Sequence, residues 1–207
     1  MIFLGPLYQY LHTELAGRIN HFPLIKLVVL SLDKTILYLL IFIVLRLLYR
    51  QLRGRHGHWG RELLILVFTG YILLLMFLTV FRGTYYYPWQ LVFHWDRSLT
   101  QMNLRPLIET LKLSRGATMF DFYYQSLGNV AWFVPLGIMA PMIMQRGHKL
   151  GRTVLIGAAL SLCIESLQFL LITGVTDIDD WIFNTVGALL GYTIYALFAA
   201  MFRPHRH

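Results

Sequence analysis

Three runs of about twenty residues pass without a charge, and they leave this chain very few folds to choose from. Leu63–Phe81, Phe122–Gln145 and Trp181–Phe202 contain no Asp, Glu, Lys or Arg, and Thr153–Thr176 contains only Glu165. A helix needs ~20 apolar residues to cross the hydrocarbon of a bilayer. Inside it every backbone N–H and C=O must be satisfied within the protein, which leaves helices and closed barrels. Runs of this length are too long for barrel strands. A further stretch, Ile25–Leu48, is interrupted by Lys26, Asp33, Lys34 and Arg46, of which Arg46 can snorkel toward the headgroups. The expectation is an all-α, polytopic transmembrane bundle of about five spanning helices, a single integral membrane domain over residues 1–207.

Only 14% of the 207 residues are charged, against roughly 25% in soluble domains. The net charge of +8 is not spread evenly. Arg46, Arg50, Arg53, Arg55 and Arg61 lie between the first two spans, Arg146, Lys149 and Arg152 between the third and fourth, and Arg203 and Arg206 after the fifth. Glu62 is the one acid among them. With alternating helices these three places share one side, which the positive-inside rule makes cytoplasmic. The N-terminus, a long 82–121 loop and the acidic turn near 177 then face outward, and the C-terminus faces the cytoplasm. Basic charge placed this way is a topology signal, and nucleic acid is excluded as the partner. The partner is the lipid bilayer. Cys163, the single cysteine, can form no intrachain disulfide. In the segment 1–23, Leu4, Leu7, Tyr8, Leu11 and Leu15 recur at helical spacing, as in a short interfacial helix.

The loop 50–60 holds His56 and His58 without an acid or cysteine beside them and reads as a solvated basic loop. The outer loop opens on Tyr85, Tyr86, Tyr87, Trp89, Phe93 and Trp95, an interfacial belt or a platform for a sugar or lipid headgroup. Pro106 biases Arg105 toward extended backbone, so a break is expected before a short helix over 108–113. Pro135 and Pro141 fall inside the third span, where Pro135 removes a donor and should kink the helix.

The polar residues that survive in this apolar chain are concentrated between 165 and 184. Gly157, Ala158, Ser161, Glu165 and Gln168 share one helical face, as do Asp180, Asn184, Gly187 and Gly191. Ionisable groups at membrane depth mark function or tight pairing. Glu165 falls roughly 12 Å below the outer end of its helix at ~1.5 Å per residue, so it is either neutral or paired with a cation. Asp177 or Asp179 fits an N-cap, and Asp180 the first turn of the next helix. The turn between the helices is short, so the two polar faces converge beneath the outer surface. Asn103 and Asn129 fall on the same side, with Arg105 or Arg115 as the countercharge. The candidate binding set is therefore Asn103, Arg105, Asn129, Glu165, Gln168, Asp177, Asp179, Asp180 and Asn184.

These residues, in this order, resemble the VanZ-like family of bacterial membrane proteins. The matching elements are Asn103-Leu104-x-Pro106, Asn129 with Phe133-Val134-Pro135-Leu136-Gly137, Glu165-x-x-Gln168, Asp177-x-Asp179-Asp180, and Asn184-Thr185-x-Gly187-x-x-x-Gly191-Tyr192. They define a core of about 103–192. Many members carry an Arg shortly before the acidic string, where this chain has Gly174-Val175-Thr176. The resemblance implies a multi-pass protein of the bacterial cytoplasmic membrane whose namesake is associated with teicoplanin resistance.

Three functions are compatible with these residues. One is a non-enzymatic envelope protein that binds a lipid-linked cell-wall intermediate or headgroup. A second is an intramembrane enzyme with Glu165 as acid and Asp179 or Asp180 as base, or with Asp177, Asp179 and Asp180 holding a divalent cation. The third is a cation-coupled transporter using Glu165, which the absence of an internal repeat disfavours.

Overall fold

A computed structural model describes residues 1–18, 20–54, 58–84, 86–106, 119–144 (backbone alone over 119–125) and 148–202. Among these residues six α-helices form: α1 (Gly5–Leu15), α2 (Phe22–Arg53), α3 (Trp59–Thr79), α4 (Met119–Ile143), α5 (Lys149–Leu171) and α6 (Ile178–Met201). Short 3-10 turns occur at Pro88–Gln90 and Leu99–Gln101. Five helices are long and apolar enough to cross a bilayer: α2, α3, the 126–143 part of α4, α5 and α6. The fold is an all-helical, multi-pass membrane bundle. The chain divides into two compact units, Met1–Val92 and Phe93–His207.

In the first unit α2 packs on α3, and α1 lies against α2. The most interrupted apolar run in the sequence becomes the longest helix, 32 residues. It does so because its two central charges are spent on other segments. Asp33 is 0% exposed, and the N–H groups of Ile2, Phe3 and Leu4 donate to its carboxylate at 2.7, 2.7 and 2.6 Å. Of these, the Leu4 N–H is the N-cap donor of α1, and the other two belong to the residues leading into it. The Tyr86 hydroxyl donates to the same carboxylate at 2.6 Å. Lys34, 1% exposed, donates to the carbonyls of Phe81 (3.0 Å) and Gly83, just beyond the end of α3, and lies over the Phe77 and Tyr86 rings. The Tyr38 hydroxyl donates to Tyr86 O at 2.6 Å. Burial first, and then the Asp33 carboxylate, hold the Tyr86 phenol well above the ordinary tyrosine range. It thus remains a donor through neutral pH, and its contribution is lost only as pH rises past that range.

At the other end of this pair, Arg46 meets Glu62 through two parallel bonds of 3.0 and 3.1 Å. The pair ties α2 to α3 at this end. Gly54 then ends α2 in the left-handed conformation (φ 57°), its N–H closing on the carbonyls of Arg50 and Gln51.

The second unit is a three-helix packing in which α4 and α6 approach most closely and α5 packs on both. Small residues make this possible. A Cβ built on Gly187 would stand 2.2 Å from Val130 O, and one on Gly191 2.2 Å from Val134 O. From the opposite helix, a Cβ on Gly137 would stand 2.2 Å from Ala188 O. These are backbone atoms, which cannot swing aside. Helix α4 runs through both Pro135 and Pro141 without interruption.

Two details depart from the sequence reading. Helix α5 stops at Leu171 rather than continuing to Thr176, and the fourth run therefore contains a helix end and a turn. The α6 stripe is shared between two neighbours: Gly187 and Gly191 face α4, whereas Asn184 bonds to Ser161 of α5. The expected helix over 108–113, the basic loop at Arg55 and His56, Tyr85, Arg115, and the terminal Arg203 and Arg206 lie outside the described residues.

Two outcomes follow from this packing. Gly187→Ala should lower the thermal unfolding midpoint in detergent, at a cost of about 1–3 kcal/mol for an overpacked contact. Gly151→Ala, where a Cβ meets nothing within 4 Å, should leave it unchanged. Equal midpoints for the two variants would show that the α4–α6 seam is not what limits stability. Asp33→Ala should release α1, since each bond to a charged group contributes about 1.5–3 kcal/mol. Tryptic cleavage after Arg18 in nanodiscs should accelerate, and an unchanged rate would mean that Asp33 does not hold α1.

Candidate functional site

The site begins with the way α5 ends. Ile172 takes the left-handed conformation (φ 54°), and its N–H closes on the carbonyls of Gln168 and Phe169. A β-branched residue there is strained by about 1–3 kcal/mol. The chain then turns back along the helix it has just left. The Thr176 hydroxyl donates to Glu165 O at 3.1 Å, and the Asp177 N–H donates to the Glu165 carboxylate at 3.0 Å. Gly174 fits under this return because a Cβ there would come within 3.1 Å of the Gln168 side chain. Glu165, 5% exposed, is thus reached by a turn that descends to it.

Asp177 performs the N-cap of α6, its carboxylate accepting from Asp179 N at 2.9 Å. Its other oxygen accepts from the Asn103 amide at 2.8 Å. Asn103 is also laced to the turn by its backbone: its N–H donates to Thr176 O (2.9 Å) and its carbonyl accepts from Ile178 N (3.0 Å), an isolated parallel bridge with Asp177. The segment before Asn103 is pinned to the end of α5. His94 N donates to Leu170 O at 2.8 Å, and the Arg97 guanidinium donates to Phe169 O at 2.7 Å while lying 4.6 Å above the Phe169 ring. A cation at the carbonyl end of a helix is well placed for the helix dipole.

A second set of contacts runs along α6. The Asn129 amide of α4 donates to Asp180 at 2.5 Å, and the buried Asn184 amide donates to Ser161 Oγ of α5 at 2.9 Å. The Trp181 indole N–H donates to Ala158 O at 3.0 Å. The structure therefore brings Asn103, Glu165, Asp177 and Asp179 into one bonded chain. Asp180 with Asn129, and Asn184 with Ser161, form two further pairs beside it. Asp179 is buried behind its own cap, and Gln168 packs under the turn. Arg105 is exposed, and its N–H approaches Asn103 Oδ1 at 3.4 Å. Among the described residues no ion pair joins it to the acids. Among the same residues no three of His, Cys, Asp or Glu converge as a metal-binding set. Asp177 and Asp180 instead turn to different partners.

Beside the bonded chain lies a cavity of about 340 Å³. Glu165 and Asp177 face it with Thr176, and Met102, Leu104, Leu162, Ile178 and Trp181 form apolar walls. The Trp181 ring is fixed by its bond to Ala158 O, and the Ser166 hydroxyl is bonded to Leu162 O at 2.7 Å. Such a lining is almost wholly a surface for hydrocarbon, with Glu165, Ser166, Thr176 and Asp177 as its few polar residues. Met102, Leu104, Trp181 and Arg97 escape sequence reasoning because apolar residues and a lone arginine carry no pattern until the loop is laid against α5.

The chain is similar to Protein VanZ of Enterococcus faecium, with 35% identity over 75 residues, which are 36% of this chain and 46% of that protein. It thus spans about half the length of the curated relative it matches. No solved structure matches. The family model described as VanZ/LLP1 matches residues 68–199, which include every candidate residue of the site, and the chain belongs to that family.

Proposed function

We propose that this VanZ-family protein binds a lipid-linked component of the cell envelope at the extracytoplasmic face of the cytoplasmic membrane. The observation that carries this reading is the cavity that Glu165 and Asp177 line together with Leu104, Leu162, Ile178 and Trp181. Its apolar lining fits the hydrocarbon of an amphiphile, whose headgroup then presents hydroxyl or ammonium donors to the carboxylates beside it. Pockets of this kind hold ligands chiefly by apolar contact, with a few polar groups fixing orientation. The outward placement rests on the basic clusters between the helices, which hold their own ends in the cytoplasm and leave the opposite ends, with the acidic turn, outside. Asn103 and Asp177 act here as positioning residues, holding the strand of residues that forms one wall. Asp180 and Asn129 hold the first turn of α6, from which Trp181 projects.

The reading is tested with purified protein in nanodiscs and a diazirine-bearing polyprenyl-linked wall precursor. Glu165→Gln and Asp177→Asn should each lower photocapture roughly ten- to hundredfold, the range expected for losing a hydrogen bond to a charged group. Capture at the wild-type level by both folded variants would overturn the proposal. In a host whose teicoplanin sensitivity depends on this protein, Asp180→Asn should shift that sensitivity while membrane insertion is preserved. Sensitivity unchanged at equal expression would count against a role for the α6 acids.

A further inference from the structure

The basic end of α2 and α3 contains a second cavity, in a part of the chain that precedes the family match altogether. Its volume is about 200 Å³, and it opens between the two helices. Ile43, Leu47, Leu63 and Leu66 line it, and Arg46 and Arg50 stand at its rim. Leu47 and Leu63 are largely exposed, which on spanning helices means exposed to lipid. Glu62 shares the rim, where it is bonded to Arg46 and also feels the charges of Arg50 and Arg61. Three guanidiniums around one carboxylate leave the rim net positive. The bidentate Arg46–Glu62 pair fixes the rim in place without neutralising it.

The geometry of α2 puts this rim at headgroup depth. At ~1.5 Å per residue its 32 residues run about 48 Å, well beyond the ~30 Å hydrocarbon core. Arg50 and Arg53 fall in its last turn, and Arg53 lies over the Tyr49 ring at 5.2 Å. Guanidinium matches phosphate in shape and charge. A basic pocket between spanning helices that continues into an apolar slot is complementary to one class of molecule.

We propose that this end of the α2–α3 pair holds an anionic phospholipid, with an acyl chain in the slot and the phosphate between Arg46 and Arg50. The site is independent of the acidic cavity, which belongs to the second unit and carries the opposite charge.

Native mass spectrometry of the full chain, titrated with phosphatidylglycerol or phosphatidylcholine, tests it. Phosphatidylglycerol should be retained at least about fivefold better, the factor expected for one basic residue near a phosphate. Arg50→Gln, which leaves the Arg46–Glu62 pair intact, should remove about that factor. Glu62→Gln should strengthen retention. Ile43→Trp should fill the slot and weaken retention with every charge in place. If that variant does not fold, the smaller Leu66→Phe serves the same purpose. Equal retention of the two lipids, or wild-type retention by both Arg50→Gln and the slot-filling variant, overturns the assignment. Full competition by glycerol phosphate would identify a soluble-anion site and overturn it equally.

Discussion

A helix end inside or just beneath a membrane leaves backbone groups that water cannot reach, and this protein assigns its few charged side chains to them. The first four N–H and last four C=O groups of any helix have no intrahelical partner. In hydrocarbon each one left bare costs several kcal/mol. Asp33 takes the N-cap N–H of α1 and the two N–H groups leading into it, and Glu165 and Asp177 take those at the start of α6. Lys34 takes carbonyls just past the end of α3, and Arg97 one at the end of α5. Acids go to N-termini and cations to C-termini, as the helix dipole favours. The two units share no motif, yet both follow this rule.

That assignment changes what the acidic string means. Three aspartates within four positions look excessive for a cap, and in the sequence they invite a metal or an acid–base pair. Asp177 caps, Asp179 is buried in the first turn, and Asp180 bonds across to α4 through Asn129. Glu165 has a double duty. It accepts from Asp177 N and also faces the cavity, so a ligand touching it touches the bond that seats the start of α6.

Much of this was legible in advance, for physical reasons that can be named. Long apolar runs admit few folds other than spanning helices, and the five helices lie where the three uncharged runs, the run holding Glu165 and the interrupted stretch 25–48 lie. Gly187 and Gly191 at a spacing of four announce a close helix contact, and the acids before an apolar run announce a cap, at Asp177 or Asp179. What stayed hidden depends on contacts distant in sequence. Asp33 and Lys34 weaken the apparent span, since nothing local says that Ile2, Tyr86 and Phe81 will come to them. Arg97 looks like any loop cation until Phe169 O is beside it. The end of α5 at Ile172 was unreadable because a β-branched residue is among the least expected to adopt φ 54°.

The location of the cavity follows from the seam. With the backbones of α4 and α6 nearly touching at Gly137, Gly187 and Gly191, no ligand fits between those two helices. Helix α5 packs on α6 through Gly157 and Ala188, which closes the space at that level as well. Room remains where the helices give way to the turn: α5 ends, the chain doubles back to Glu165, and the segment carrying Met102 and Leu104 forms a wall. The small residues that let the bundle close therefore also decide where it stays open. They leave the opening beside the one carboxylate that the turn has to reach.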